Sequence, residues 1–202
     1  MTLPTLNRRA VTAGMLAGGA VFALPGVTLA QSGADAARRA VEQAVAAVNR
    51  TIASGESTQA MYNDFERIFA QYADIPTIAR STLGVAARQA SAAQLQAYTS
   101  AYQGYVARKY GRRFREFVGG EIKVTGVNPI KSYYEVVSTA YTRGNSPADV
   151  RWHVSTSSGS PKFFNIIIQG VNMLASERTE IQAILDQQGG SIDRLTRALQ
   201  SA

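Results

Sequence analysis

The sequence predicts an α+β fold, with several N-terminal helices packed on one face of a curved four-stranded antiparallel sheet and C-terminal helices closing it. Three observations point there. Apolar residues recur at helical spacing from Ala34 to Phe117. From Gly119-Gly120 onward the period drops to two, and short turns separate successive runs, which makes neighbouring strands antiparallel. The stretch Ser160 to Arg178 then carries large apolar side chains on both parities, so it reads as a strand covered on both faces.

The first thirty residues are expected to stand apart from the fold. Asn7-Arg8-Arg9 precedes an apolar segment from Ala10 to Leu24, then Pro25-Gly26, then Thr28-Leu29-Ala30 with small residues at the cleavage-determining positions. This is the pattern of an export signal over residues 1–30, of the twin-arginine or the general type. The apolar segment is broken by glycines and falls short of the ~20 residues that a membrane span needs. Cleavage would leave residues 31–202 as a single domain, and losing Arg8 and Arg9 would take the formal net charge from +7 to +5. For an exported chain, anionic lipid head groups or acidic partner surfaces are better counterparts of that charge than nucleic acid. The chain has no cysteine, which excludes disulfides, thiol catalysis and thiolate metal sites.

The helices follow in order. Ala34 to Ala53 carries a narrow stripe of small side chains (Ala37, Val41, Val45, Val48, Ile52) and stops at Ser54-Gly55. A second helix places Met61, Phe65, Ile68, Phe69 and Tyr72 on one face. Asp74 caps a third, with Pro76 in its first turn and Gly84 at its end, and a short turn follows over Ala86 to Ala90. Ser91 caps a long helix with an aromatic stripe, and Arg108, Lys109, Arg112, Arg113 and Arg115 decorate its C-terminal half. That basic run is either a solvated face or a docking surface for head groups or partners, for which Arg108, Arg112 and Arg113 are the candidates.

The strands come next. Glu121 to Val127 alternates, with a turn expected at Asn128-Pro129. Ser132 to Thr142, Asp149 to Thr156 and the run after Pro161 are the other three, and two helical pieces close the chain, Leu174 to Gln187 and Ser191 to Gln200.

Little in this sequence carries covalent chemistry. His153 is the single histidine, and strand alternation sets it opposite Trp152 with no partner in view, so it is read as a surface residue. The 14 acidic residues are scattered, with no close pair of the glycosidase kind. No phosphate loop, metal motif or nucleophile elbow is present, so no catalytic residue, metal or cofactor is expected. What stands out is the supply of aromatic and branched side chains at the expected helix–sheet contact. They are Tyr98, Tyr102, Tyr105, Phe114 and Phe117 from the long helix, and Trp152, Phe164, Ile166, Ile168 and Val171 from the strands. A filled core and a cavity for an apolar ligand would use the same residues.

The region from Leu95 to Leu199 resembles the MlaC family, the toluene-tolerance auxiliary family of periplasmic phospholipid-binding proteins. The resemblance rests on Tyr98-x-x-x-Tyr102-x-x-Tyr105, on Val150-x-Trp152 followed by Pro161-Lys162-Phe163, on Gln169-Gly170-Val171-Asn172-Met173 with Glu177-Arg178, and on Gly189-Gly190-Ser191-Ile192-Asp193-x-Leu195. One departure is Asn165, where the family has an acidic residue before the Gly-Val corner. The resemblance implies a soluble, monomeric periplasmic shuttle. Its cargo would be phospholipid, passed between an outer-membrane lipoprotein and an inner-membrane ABC transporter, in support of membrane lipid asymmetry and solvent tolerance. It implies acyl chains between helices and sheet and no enzymatic activity. A carrier of another apolar lipid, such as a hopanoid, and a periplasmic enzyme on an α+β scaffold are the alternatives.

Overall fold

The computed structural model describes residues 25–114, 120–142 and 144–202, with the side chains of 25–31 and 112–114 excepted. The order is α1 (Pro25–Ala53), α2 (Thr58–Tyr72), α3 (Ile75–Leu83), a 3₁₀ turn (Gly84–Arg88), α4 (Ala92–Phe114), β1 (Glu121–Ile130), β2 (Tyr133–Tyr141), β3 (Ala148–Ser155), β4 (Lys162–Ile168), β5 (Val171–Asn172), α5 (Met173–Gln187) and α6 (Ile192–Ser201). The α+β class and the antiparallel sheet are as the sequence predicts; the sheet has five strands in the order β1-β2-β3-β4-β5.

The helix starts follow from local chemistry. Ser57, Asp74, Asn172 and Ser191 each accept a backbone N–H of the first turn of α2, α3, α5 and α6. Ahead of α4, Gln94 N–H donates to Ser91 Oγ at 3.2 Å and Ser91 N–H donates to Gln94 Oε1 at 3.0 Å, a reciprocal capping box.

The sheet departs from the expected elements in three places. Strand β1 continues through Asn128 and Pro129, which pair with Glu135 and Tyr134. A proline fits there because β1 is an edge strand, where the missing N–H costs no ladder bond. The expected Gly170 corner carries a two-residue strand, β5, folded back on β4 with Ile168 opposite Val171. Gln169 and Gly170 have φ of 50° and 78°, the positive values a tight two-residue hairpin needs. The third difference is a bulge. His153 pairs with Asn165 while the adjacent Val154 pairs with Phe163, so Phe164 is an extra residue on β4. Phe163 therefore shares a face with Ile166, which plain alternation would forbid.

Helix α1 lies across β1 to β4; α2, α3 and α6 pack on α4; α5 packs on α3 and β4. The main core contains Val41, Leu83, Tyr98, Tyr102, Trp152, Val154, Phe163, Ile181 and Leu199. Its polar atoms are paired. Tyr98 Oη and Thr82 Oγ1 are hydrogen-bonded at 2.8 Å, and Trp152 Nε1 donates to Ser138 Oγ at 2.9 Å. Desolvation holds the Tyr98 phenol well above its ordinary pKa, so it stays a neutral donor. A second, separate cluster joins α1 to α2 through Val48, Ile52, Met61 and Phe65.

Candidate functional site

The two clusters do not close on each other everywhere. Between them lies a cleft of about 190 Å³. Its helical walls are Ala44 and Val48 of α1, Phe65, Ile68 and Phe69 of α2, Ile78 of α3, and Tyr102, Val106, Ala107, Tyr110 and Gly111 of α4. Opposite stand Trp152 of β3 and Phe163, Phe164, Asn165, Ile166 and Ile168 of β4, and Met173, Leu174 and Glu177 of α5 complete the lining. Small residues leave the room. Ala44 and Ala107 are buried and yet belong to neither cluster. Gly111 lets α2 and α4 approach, since a Cβ there would sit 2.6 Å from Tyr62 Cδ1.

The structure brings Tyr102, Trp152, Phe164, Ile166 and Ile168 together on this cleft. Ile168 sits at its rim, 39% exposed, and Val171 is 53% exposed and off the lining. Tyr98 and Tyr105 are buried beside it without lining it. The side chains of Phe114, Arg112 and Arg113, and all of Phe117, lie outside what is described. Arg108 turns to the closing helix, donating to the Leu199 carbonyl at 2.6 Å and the Ala202 carbonyl at 2.9 Å. Sequence reasoning missed the contributions of α1 and α2 to the cleft; their stripes were visible, but which neighbour each stripe faces depends on topology.

A polar cluster adjoins the cleft through Tyr110 and Glu177, which line it. Lys109 Nζ donates to Glu177 Oε1 at 2.6 Å and to Glu180 Oε2 at 2.5 Å. The Tyr110 and Tyr105 hydroxyls donate to Glu177 Oε1 and Glu180 Oε1. The ammonium also lies 5.5 Å from the Tyr105 ring centre and 5.4 Å from that of Tyr110. Burial first, then the Glu180 hydrogen bond, keeps the Tyr105 phenol well above its ordinary pKa, so it serves as a donor. Burial likewise raises Tyr102.

His153 is less isolated than strand alternation suggested. Its ring centre is 4.6 Å from that of Tyr133 and 5.9 Å from that of Phe164, and Nε2 is 3.8 Å from Glu135 Oε2. Desolvation lowers its pKa, against the opposing pull of Glu135. The sign follows: protonation favours the unfolded chain, so the contribution is complete above the ordinary value of about 6.5 and is lost as pH falls through the lower folded value. Between pH 7.5 and 5.5 the wild-type urea midpoint should therefore fall more than that of His153→Gln, and parallel falls would contradict this.

No group of three or more His, Cys, Asp or Glu positioned for a metal occurs among the described residues. No described helix is long and apolar enough to cross a membrane. The arrangement suits sequestration of an apolar chain. A family model described as MlaC protein matches residues 38–201. The chain belongs to the MlaC family. That match spans every residue lining the cleft. The MlaC-family chain is also similar to a solved structure, the phospholipid-binding protein from Ralstonia solanacearum in complex with a phospholipid. The TM-score is 0.70 at 19% identity, covering 82% of this chain and 95% of that one. At that identity the likeness speaks for a shared fold.

Proposed function

We propose that this MlaC-family chain is a lipid carrier of the periplasm. It would be exported by the signal in residues 1–30 and fold as one domain over residues 31–202. It would shuttle phospholipid between an outer-membrane lipoprotein and an inner-membrane ABC transporter, without catalysing a reaction. The observation that carries this reading is the cleft between the two core clusters, walled by aromatic and aliphatic side chains. The phospholipid bound by the Ralstonia solanacearum relative supports it. Tyr102, Trp152, Phe163, Phe164 and Ile166 are the proposed acyl-chain wall.

The energetics fit a carrier. Each buried methylene contributes about 0.8 kcal/mol, so ten of them contribute about 8 kcal/mol, the scale of micromolar binding before ordering costs. At about 190 Å³ the cleft is smaller than the ~300–1,000 Å³ of ordinary ligand pockets. Two tails therefore require it to widen.

Transfer of a fluorescent phospholipid between two vesicle populations tests the shuttle. The protein should raise the rate at least about tenfold over spontaneous exchange and in proportion to its concentration, as desolvation of both tails limits the uncatalysed step. A rate equal to the protein-free control would refute the proposal.

A further inference from the structure

The apolar lining of the cleft continues onto the outside of the molecule. Of the exposed large apolar side chains among the described residues, only Ile168 and Val171 face each other across a strand pair. They flank the β4–β5 hairpin, on the face that Ile168 shares with the buried Val150, its partner on β3. Ile168 also belongs to the cleft lining, and Met173 and Leu174 of that lining follow the hairpin directly. An apolar track therefore runs from the buried wall, over the Ile168 rim, to Val171 in solvent. The hairpin is held in place. Gln169 N–H donates to the Asp149 carbonyl at 2.9 Å, and Asn172 Oδ1 accepts the Ala175 N–H at 3.0 Å. Single apolar residues on a surface are ordinary, but a fixed pair joined to a ligand cleft is a contiguous patch of the kind that marks a contact.

We propose that Ile168 and Val171 insert into the hydrocarbon edge of a bilayer and form the step over which a lipid tail passes between membrane and cleft. The inference rests on the carrier reading above and adds to it the surface at which the carrier loads and unloads. A tail crossing a wet rim exposes its methylenes to water, and each one slows the passage about fourfold. An apolar rim seated in the bilayer removes that barrier. A bilayer suits the pair better than a protein surface does. A stable protein interface buries at least about 1,000 Å², far more than two side chains supply, whereas lipid-surface binding scales with whatever apolar area is inserted. The formal net charge, +7 overall and +5 without Arg8 and Arg9, adds attraction to an anionic leaflet.

The chain has no cysteine, so Val171→Cys provides a single labelling site. An environment-sensitive dye placed there should shift its emission to the blue when vesicles of phosphatidylethanolamine and phosphatidylglycerol are added. The same dye on Val85→Cys, in the exposed 3₁₀ turn and off the lining, should not respond. Val171→Asp should slow vesicle-to-vesicle lipid transfer at least about tenfold. Its thermal midpoint and the lipid it carries at equilibrium should stay level, because Val171 is exposed and off the lining. A silent dye at the hairpin of a chain that transfers lipid overturns the inference and leaves carriage standing, with a protein partner taking the tail. Equal shifts at the two labels, or full-speed transfer by Val171→Asp, also overturn it. A wild-type chain that transfers no lipid overturns the carrier reading itself, and this inference with it.

Discussion

Ala107→Phe should strip the protein of bound lipid while leaving it folded. Ala107 lies on the cleft lining, buried but outside both core clusters, so a larger side chain there grows into the space rather than into a packed neighbour. The space suffices: an apolar cavity of about 150 Å³ accepts a benzene ring, and this cleft measures about 190 Å³. Filling a void commonly adds about 0.5–2 kcal/mol of stability. The two readouts should thus move in opposite directions, with lipid retention down at least about tenfold and the thermal midpoint level or raised. Ala44→Phe, from α1, should do the same. If both variants fold and still retain lipid as wild type does, the ligand does not occupy this cleft.

Trp152→Ala should produce the largest loss of stability of any change at the cleft. The indole packs edge-on against Phe163 with ring centres 5.3 Å apart, and its N–H is taken up by Ser138, which in turn donates to the Val150 carbonyl at 3.1 Å. Truncation removes the ring contacts and the donor together, at a cost of about 3–5 kcal/mol. For a domain of this size that corresponds to a fall in Tm of roughly 6–20 °C. Trp152→Phe keeps most of the ring and should cost about 1–2 kcal/mol, the share of the lost hydrogen bond. Calorimetry on the pair separates the two contributions; equal losses would mean that the hydrogen bond to Ser138, rather than the packing, holds β2 against β3 here.

The elements themselves were legible because their signals are local. Caps at Ser57, Asp74, Ser91 and Ser191, the glycine stop at Gly84 and the change of period near Gly119-Gly120 each act within a few residues. Register was not legible. The bulge at Phe164 depends on how β3 and β4 pair, and it sets Phe163 beside Ile166 on the cleft. Pro129 reads as a turn until β1 is known to be an edge. The polar cluster was hidden for a similar reason. Lys109 and Glu177 are 68 residues apart, and in sequence Lys109 is one member of a basic run. The fold resolves the described part of that run. Arg108 serves the carbonyls ending α6, and Lys109 serves two carboxylates at the cleft.

Native mass spectrometry of the freshly purified chain, followed by solvent extraction and identification of what it carried, tests the central claim most directly. A species heavier than the polypeptide by one phospholipid, absent from Ala107→Phe, is the expected result. A wild-type chain that is reproducibly empty, and stays empty after incubation with phospholipid vesicles, would contradict it.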